Sequence, residues 1–415
     1  MQKNISILPS NIVSYKKEVV KKQNEIEIDN ISFLFYNYIG GIMNVKHRLK
    51  VKNLIIFLIV LAMLVLIPVM LLTNQKEEKN EPKKNDNKEV EETIIETPKE
   101  KRMSLIAVGD VLIHESVYKD AYKDNQYDFS HMFTQIEPIL KNYDLKFCNQ
   151  ESTIGGSYLG ISGYPSFNSP DEIGDEIVRL GFNMISLANN HAIDRGEDAI
   201  LYSNSYWKSK DVITAGSYSN SEEMSNIQVY EKNEIKYAFL SYTTILNGYL
   251  TKDYLVNMYS DEKVKGDIDK VKEEVDVIIV SMHWGEEYTN TPNEEQERIS
   301  RYLSSLGVNL IIGHHPHVVQ PVTYINDTLV IYSLGNFISN QLSIGINQGI
   351  GLMIGMDIVL KEDKVIFENM YKELILAYAE NSTNFKVIPF SKLNDNLLND
   401  YKNIETKYME IVNGG

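Results

Sequence analysis

The sequence predicts an α/β domain over residues 103–390, preceded by one membrane-spanning helix and a charged tether. Three observations carry that reading. From Met103 onward, short runs rich in Ile, Val, Leu and Phe alternate with helix-like stretches, the pattern of strands buried on both faces and linked through helices. Most of these runs end in a polar cluster of Asp, Asn, Glu or His. Ahead of them, residues 54–72 form an unbroken apolar stretch of about 19 residues, long enough to cross a hydrocarbon core as a helix.

Taken in order, residues 1–42 sit oddly before this stretch. Met43 opens MNVKHRLKVKN, a good basic start, so a start at Met43 is preferred and 1–42 is read as an extension outside the native product. Residues 43–53 form a basic flank with Lys46, Arg48, Lys50 and Lys52. The positive-inside rule then puts the N-terminus in the cytoplasm and the long C-terminal part outside the cell. Residues 54–72 are read as a signal anchor at the cell membrane, in which Pro68 is tolerable. The run exceeds a usual signal-peptide core, TNQKEEK after it offers no small-x-small cleavage site, and no cysteine follows for a lipid anchor. Residues 73–102 are dense in Lys, Glu and Asn; they lack the apolar surface to offset ordering entropy and are read as a flexible, disordered tether.

In the domain itself, SLIAV runs into Gly109-Asp110, and LKFC into Asn149-Gln150-Glu151. NMISLA meets Asn189-Asn190-His191, and VDVIIVSM meets His283-Trp284-Gly285. VNLIIG ends in His314-His315-Pro316-His317, and LVIYSLG in Asn336-Phe337. Helix-like segments lie at 171–181, 196–209 and 293–306. The stretch after 342 reads as two or three strands closing the sheet, and 391–415 as an exposed terminal helix. Ligands of α/β sheets bind at the carboxyl ends of strands. Six of the eight histidines (His114, His191, His283, His314, His315 and His317) fall in or just after such an end.

Neutral imidazoles, carboxylates and an Asn oxygen together form a ligand set for Zn, Mn, Fe or similar divalent ions. His315-Pro316-His317, on an extended segment, would turn both rings to one face. Taken singly, each feature has an ordinary explanation: Asp110 as a helix cap, Asn190 as a turn residue, His283 as a core histidine. Six clusters at equivalent positions argue for one site. Composition excludes other classes. The single cysteine, Cys148, rules out an internal disulfide framework and a Cys₄ zinc site. A pI of about 5.1 argues against nucleic acid as a partner. The chain has no P-loop and no GxGxxG.

GDVLIH (109–114), NQEST (149–153), LANNHAIDRG (187–196), HWGEEY (283–288), GHHPHVVQP (313–321) and SLGNF (333–337) closely resemble the CapA family of membrane-anchored proteins of poly-γ-glutamate capsule synthesis. The resemblance covers roughly residues 103–340. It implies a β-sandwich flanked by helices, like that of the calcineurin-type metallophosphoesterases, with two divalent metals (Mn, Zn, Fe or Mg). By the same resemblance Asp110, Glu151, Asn190, His283, His315 and His317 are the metal ligands, with Glu151 where those enzymes have a bridging Asp. His191 is the acid at the leaving group, oriented by Asp194. Those enzymes carry D-x-H on the first strand, whereas His114 stands four residues after Asp110. His114 is therefore counted with the pocket, alongside Asn149, Trp284, Glu287, His314 and Asn336.

The resemblance implies an extracellular subunit that binds or processes the nascent polymer beside membrane-embedded synthase components. Two alternatives stand beside it: a cell-surface metallophosphoesterase with an unrelated substrate, and a non-catalytic scaffold. Either enzymatic reading makes the protein a metal-dependent hydrolase or transferase. The whole chain carries a formal net charge of -16, but residues 1–102 hold 17 basic and 13 acidic groups, which leaves 24 and 44 beyond them. The domain thus carries about -20, and polyglutamate can approach only where bound cations reverse the local field.

Overall fold

The computed structural model describes residues 100–414 apart from Asp363. The extension 1–42, the basic flank, the apolar stretch 54–72 and nearly all of the tether lie outside these residues. Among the described residues no helix is long and apolar enough to cross a membrane.

The strands, in chain order, are β1 (Lys101–Val111), β2 (Tyr122–Lys123), β3 (Gln126–Tyr127), β4 (Leu145–Gln150), β5 (Met184–Ser186), β6 (Ile213–Ala215), β7 (Val229–Lys232) and β8 (Ile235–Thr243). They continue as β9 (Val277–His283), β10 (Leu310–His314), β11 (Val322–Ile325), β12 (Thr328–Ile331), β13 (Asn336–Ile338), β14 (Ile350–Lys361), β15 (Lys364–Glu380) and β16 (Thr383–Pro389). The longer helices are α1 (Asp171–Arg179), α2 (Gly196–Ser209), α3 (Asp261–Val271), α4 (Glu294–Ser305) and α5 (Tyr401–Val412).

Two mixed sheets result. The first runs β16-β15-β14-β1-β4-β5-β6, with β13 beside β1; the second runs β11-β12-β10-β9-β8-β7. Their centres are parallel: β1, β4, β5 and β6 in one, β8, β9, β10 and β12 in the other. Side-chain alternation along each strand builds the layers. Leu105, Ala107 and Phe147 face Phe239, Ile279 and Ile312 across the sandwich. Their neighbours Ile106, Val108 and Cys148 point outward onto Ile173 and Ile177 of α1 and Trp207 of α2. On the far side Val280 and Ile311 pack on Val264 and Ile268 of α3 and Ile299 and Leu303 of α4. The result is a mixed α/β sandwich flanked by helices. Cys148 is a free, buried thiol, and burial pushes its pKa up.

Two boundaries differ from the sequence reading. Lys101 and Arg102, read as the end of the tether, already belong to β1 and pair with Leu360 and Val359. Opposite charges on neighbouring strands accommodate Arg102, which bridges Asp357 at 2.8 Å and Glu368 at 2.6 Å. The terminal helix starts at Tyr401 and is not wholly exposed. Tyr408 and Val412 are buried in the same core as Leu374, Phe390 and Leu393, on a stripe of helical period that the charged sequence around it obscures.

Candidate metal centre

The parallel strands deliver their polar residues to one edge of the sandwich. Asp110 ends β1 beside Asn149 of β4, and His314 ends β10 beside His283 of β9. Glu151 follows β4, and Asn190 and His191 follow β5. Close backbone approach tightens this edge. A Cβ on Gly109 would lie 1.8 Å from the Gly335 carbonyl oxygen, and one on Gly313 would lie 2.0 Å from that of Tyr332. Only glycine fits at these two positions. Beneath the edge, the hydroxyls of Ser186, Ser241 and Ser281 join the two sheets at 2.8 and 3.0 Å.

Two buried groups of ligand-type side chains form there, Glu151/His283/His315 and Asp110/Glu151/His317, and within each group the ligand atoms lie within 4.8 Å of one another. The groups share Glu151. Its Oε1 is 3.6 Å from Nε2 of His283 and 3.6 Å from Nε2 of His317. Asn190 Oδ1 sits 3.0 Å from His283 Nε2. Neither carboxylate oxygen of Glu151 has a hydrogen-bond partner, although the side chain is fully buried. An unpaired buried carboxylate is costly, and burial pushes the Glu151 carboxyl well above its usual range. A divalent cation supplies the missing charge, so this donor set suits one.

The remaining protonation states follow from the same burial. Burial alone would lower the His317 imidazole, but the charge of Glu151 and the bond to Asp110 lift it to about 9. Burial alone would raise Asp110, yet His317 at 3.1 Å, the charge of His314 and the Asn149 amide at 2.8 Å hold it below the usual range. Burial, reinforced by neighbouring imidazoles, pushes His283 well down and His315 to about 3. Both are neutral at pH 7, the form that binds metal.

The H-x-H segment is not extended. His315 has φ 95° and His317 φ 56°, a backbone region bulky residues seldom enter. β10 ends at His314, and Pro316 carries no N–H to continue its ladder. The chain turns, the two rings stand 6.0 Å apart, and one enters each ligand group. Asn336 braces the turn: its Nδ2 donates to the His317 carbonyl at 3.3 Å and to Gln341 Oε1 at 2.9 Å, while its Oδ1 lies 3.2 Å from His317 Nδ1. A second brace runs through Gln320. Its Oε1 accepts from Gln296 Nε2 at 2.8 Å, and its Nε2 donates to the Thr289 carbonyl at 2.8 Å.

His191 stands beside the ligand groups. Its Nδ1 is 2.7 Å from Asp194 Oδ2, and that oxygen also accepts from the Phe167 amide at 2.8 Å. Phe167 meets the His191 ring edge-on at 4.7 Å. The carboxylate thus holds Nδ1 and leaves Nε2 for other contacts. Asn189 ties this loop to the Glu151 loop, accepting from the His191 amide at 3.0 Å and donating to the Gln150 carbonyl at 3.0 Å.

A cleft of about 650 Å³ opens over these groups, and His114, His191, His317, Asn247, Glu287 and Tyr288 are among its lining residues. His114 belongs to the cleft wall and to neither ligand group; burial pushes it down to about 4. Tyr288, Asn247, Phe167 and Tyr164 also line the cleft. Sequence reasoning did not single them out, because aromatic and amide side chains in loops carry no spacing signal.

Two pocket candidates, His314 and Trp284, are not among the residues that line the cleft. His314 is fully buried between the sheets, stacked on Phe147 at 5.2 Å, with its Nδ1 3.6 Å from Asp110 Oδ1. Trp284 alternates to the outer face of β9's sheet. It is fully buried among the α4 contacts and donates from Nε1 to the Tyr332 carbonyl at 3.0 Å. Trp284→Ala is therefore expected to cost about 3–5 kcal/mol of stability while leaving the stoichiometry of bound metal unchanged. Denaturant unfolding and metal analysis check this; a loss of metal with native stability would contradict the placement.

The sequence pattern of a family described as bacterial capsule synthesis protein PGA_cap matches residues 104–341. The chain belongs to this family. Among curated proteins, it is 28% identical over 252 residues to the capsule biosynthesis protein CapA of Bacillus anthracis, covering 58% of this chain and 60% of that one. It is 30% identical over 258 residues to the PGA biosynthesis protein CapA of Bacillus subtilis, covering 59% and 67%. The match thus spans about three-fifths to two-thirds of these relatives' length. Among solved structures, the calcineurin-like phosphoesterase YfkN from Bacillus subtilis aligns with a TM-score of 0.44 at 15% identity, covering 75% of this chain and 99% of that one. A phosphatase from Mycoplasma pneumoniae aligns at 0.41 and 16%, covering 66% and 94%. The capsule-family match contains every one of the ligand-type residues named above.

Proposed function

We propose that this protein acts in poly-γ-glutamate capsule synthesis or export, anchored in the membrane through residues 54–72, with its domain outside the cell beside membrane-embedded synthase components. The observation that carries the reading is the pair of buried ligand groups sharing Glu151 under an open cleft, in a chain of the capsule-synthesis family. Asp110, Glu151, Asn190, His283, His315 and His317 are the residues that would hold two divalent ions. Such ions act as Lewis acids toward a phosphoryl or carbonyl oxygen and supply a nucleophile from water. The chain's own part is to orient and to move a proton. Asp194 holds Nδ1 of His191, so that Nε2 is the atom that passes a proton to a leaving group.

The test is replacement of the chromosomal gene by Asp110→Ala in a strain that makes the polymer. Surface polymer should be lost; undiminished polymer would sink the proposal. In the purified Mn²⁺-loaded protein, His191→Ala should lower kcat on a cleavable phosphate ester or γ-glutamyl amide by about 10²–10⁴-fold. Asp194→Asn should give a smaller loss, with bound metal unchanged in both. Turnover confined to phosphate esters, with normal polymer in the Asp110→Ala strain, would favour a cell-surface phosphoesterase of unrelated substrate.

A further inference from the structure

The mouth of the cleft has an unusual composition. Among the described residues its lining includes Tyr164, Glu287 and Tyr288 but no lysine and no arginine. Glu287 is exposed, and Tyr164 and Tyr288 are 76% and 38% exposed. Large aromatic side chains left open to water beside a carboxylate mark a surface built for contact. Tyr288 is held rather than loose. Its backbone amide donates to the Pro316 carbonyl at 2.7 Å, within the H-x-H turn, and its ring lies 6.3 Å from that of His317. Glu287 immediately precedes Tyr288 in the chain, and Tyr164 lines the same cleft. All three are exposed and open onto one cleft.

We infer that Glu287, Tyr288 and Tyr164 form a seat for a substrate ammonium group, so that the cleft takes a chain end bearing a free amine. A carboxylate supplies the opposite charge, and aromatic faces attract a cation through their quadrupole. Among the described residues no guanidinium or lysine ammonium lines the cleft, and the cationic imidazole that does, His317, is buried against Asp110 at 3.1 Å. Resting on the capsule-polymer reading above, the inference also solves a charge problem. A polyglutamate chain repeats carboxylates that a domain of net charge near -20 repels. Its amino terminus is the one point that Glu287 attracts.

The test uses the full-length chain in detergent, loaded with Mn²⁺, and calorimetric titration with two pairs of probes. One pair is a γ-glutamyl tripeptide with a free amino terminus and its N-acetyl form. The other is phosphoethanolamine and ethyl phosphate. The free-amine member of each pair should bind about tenfold more tightly. That preference should vanish in Glu287→Gln and shrink as ionic strength rises. If both pairs bind without an amine preference, or if Glu287→Gln keeps the preference, the inference is overturned while the capsule reading stands. If only the phosphate pair binds, with the amine preference, the seat is supported and the polymer reading fails. If no probe binds the loaded protein, the seat is overturned as well.

Discussion

Saturating Mn²⁺ raises the unfolding midpoint of the wild-type protein, and Glu151→Gln abolishes the rise without lowering the midpoint of the metal-free protein. The first half follows from linkage. A ligand that binds only the folded state at a hundred times its Kd adds about 2.7 kcal/mol, or roughly 5 °C for a domain of this size. The second half follows from the state of Glu151. Both of its oxygens are buried without a partner, and its carboxyl is pushed well above the usual range. In the metal-free protein burial disfavours its charged form, so a neutral glutamine of the same shape relieves that cost and offsets the lost attraction for His317. The bound cation needs the carboxylate shared by both ligand groups, which glutamine cannot supply. Asp110→Asn should differ. It removes the negative partner of His317 at 3.1 Å, so the metal-free midpoint should fall as well. Thermal unfolding with and without chelator separates the two variants. A metal-dependent rise that survives Glu151→Gln would remove Glu151 from the site.

Acid is the second large effect. The metal-free protein should lose stability steeply as pH falls from about 6.5 toward 4. His114 and His314 are pushed down to about 4 and His315 to about 3, and His283 is also well below its ordinary value of 6.5. The sign is set by which state holds more protons. Below 6.5 the unfolded chain protonates these four imidazoles and the folded chain does not, so their stabilisation is present above 6.5 and drains away as pH falls. Glu151 opposes them. Its folded pKa is raised, so its contribution is present at low pH and lost as pH rises past its ordinary value of 4.5. His317, raised to about 9, is protonated in both states below 6.5 and is silent there; its stabilisation is lost between 6.5 and about 9. A net difference near three protons gives a slope on the order of 4 kcal/mol per pH unit around pH 5. Against a typical total of about 5–15 kcal/mol, unfolding should be complete within one to two units. Chemical denaturation at stepped pH measures the slope. A curve flat from pH 7 to 4.5 would mean these imidazoles are not locked neutral.

The alternation of apolar runs and polar clusters was legible because a strand buried on both faces needs a continuous apolar run, and its open end is where polar groups gather. Asp110, Glu151, His283, His315 and His317 could be read that way. His314 points inward with its register partner His283 but is covered by Phe147, and Trp284 was misjudged by the same rule. Adjacent residues at a strand end point to opposite faces, and sequence does not say which face is the cleft. The tyrosines at the mouth were invisible for another reason. Tyr164 and Tyr288 lie 124 positions apart by number, and only the folded loops bring them to one opening.

What the sequence by itself determined was the set of chemical groups and their order along the chain: which carboxylates and imidazoles end which apolar runs, and the acidic balance of the domain. Tertiary structure decided how those groups divide. Positive φ at His315 and His317 sends one ring to each ligand group. Burial then leaves the Glu151 carboxylate unpaired between them. Both outcomes depend on the packing of two sheets, where long-range contacts determine which polar atoms lose water and which find a partner.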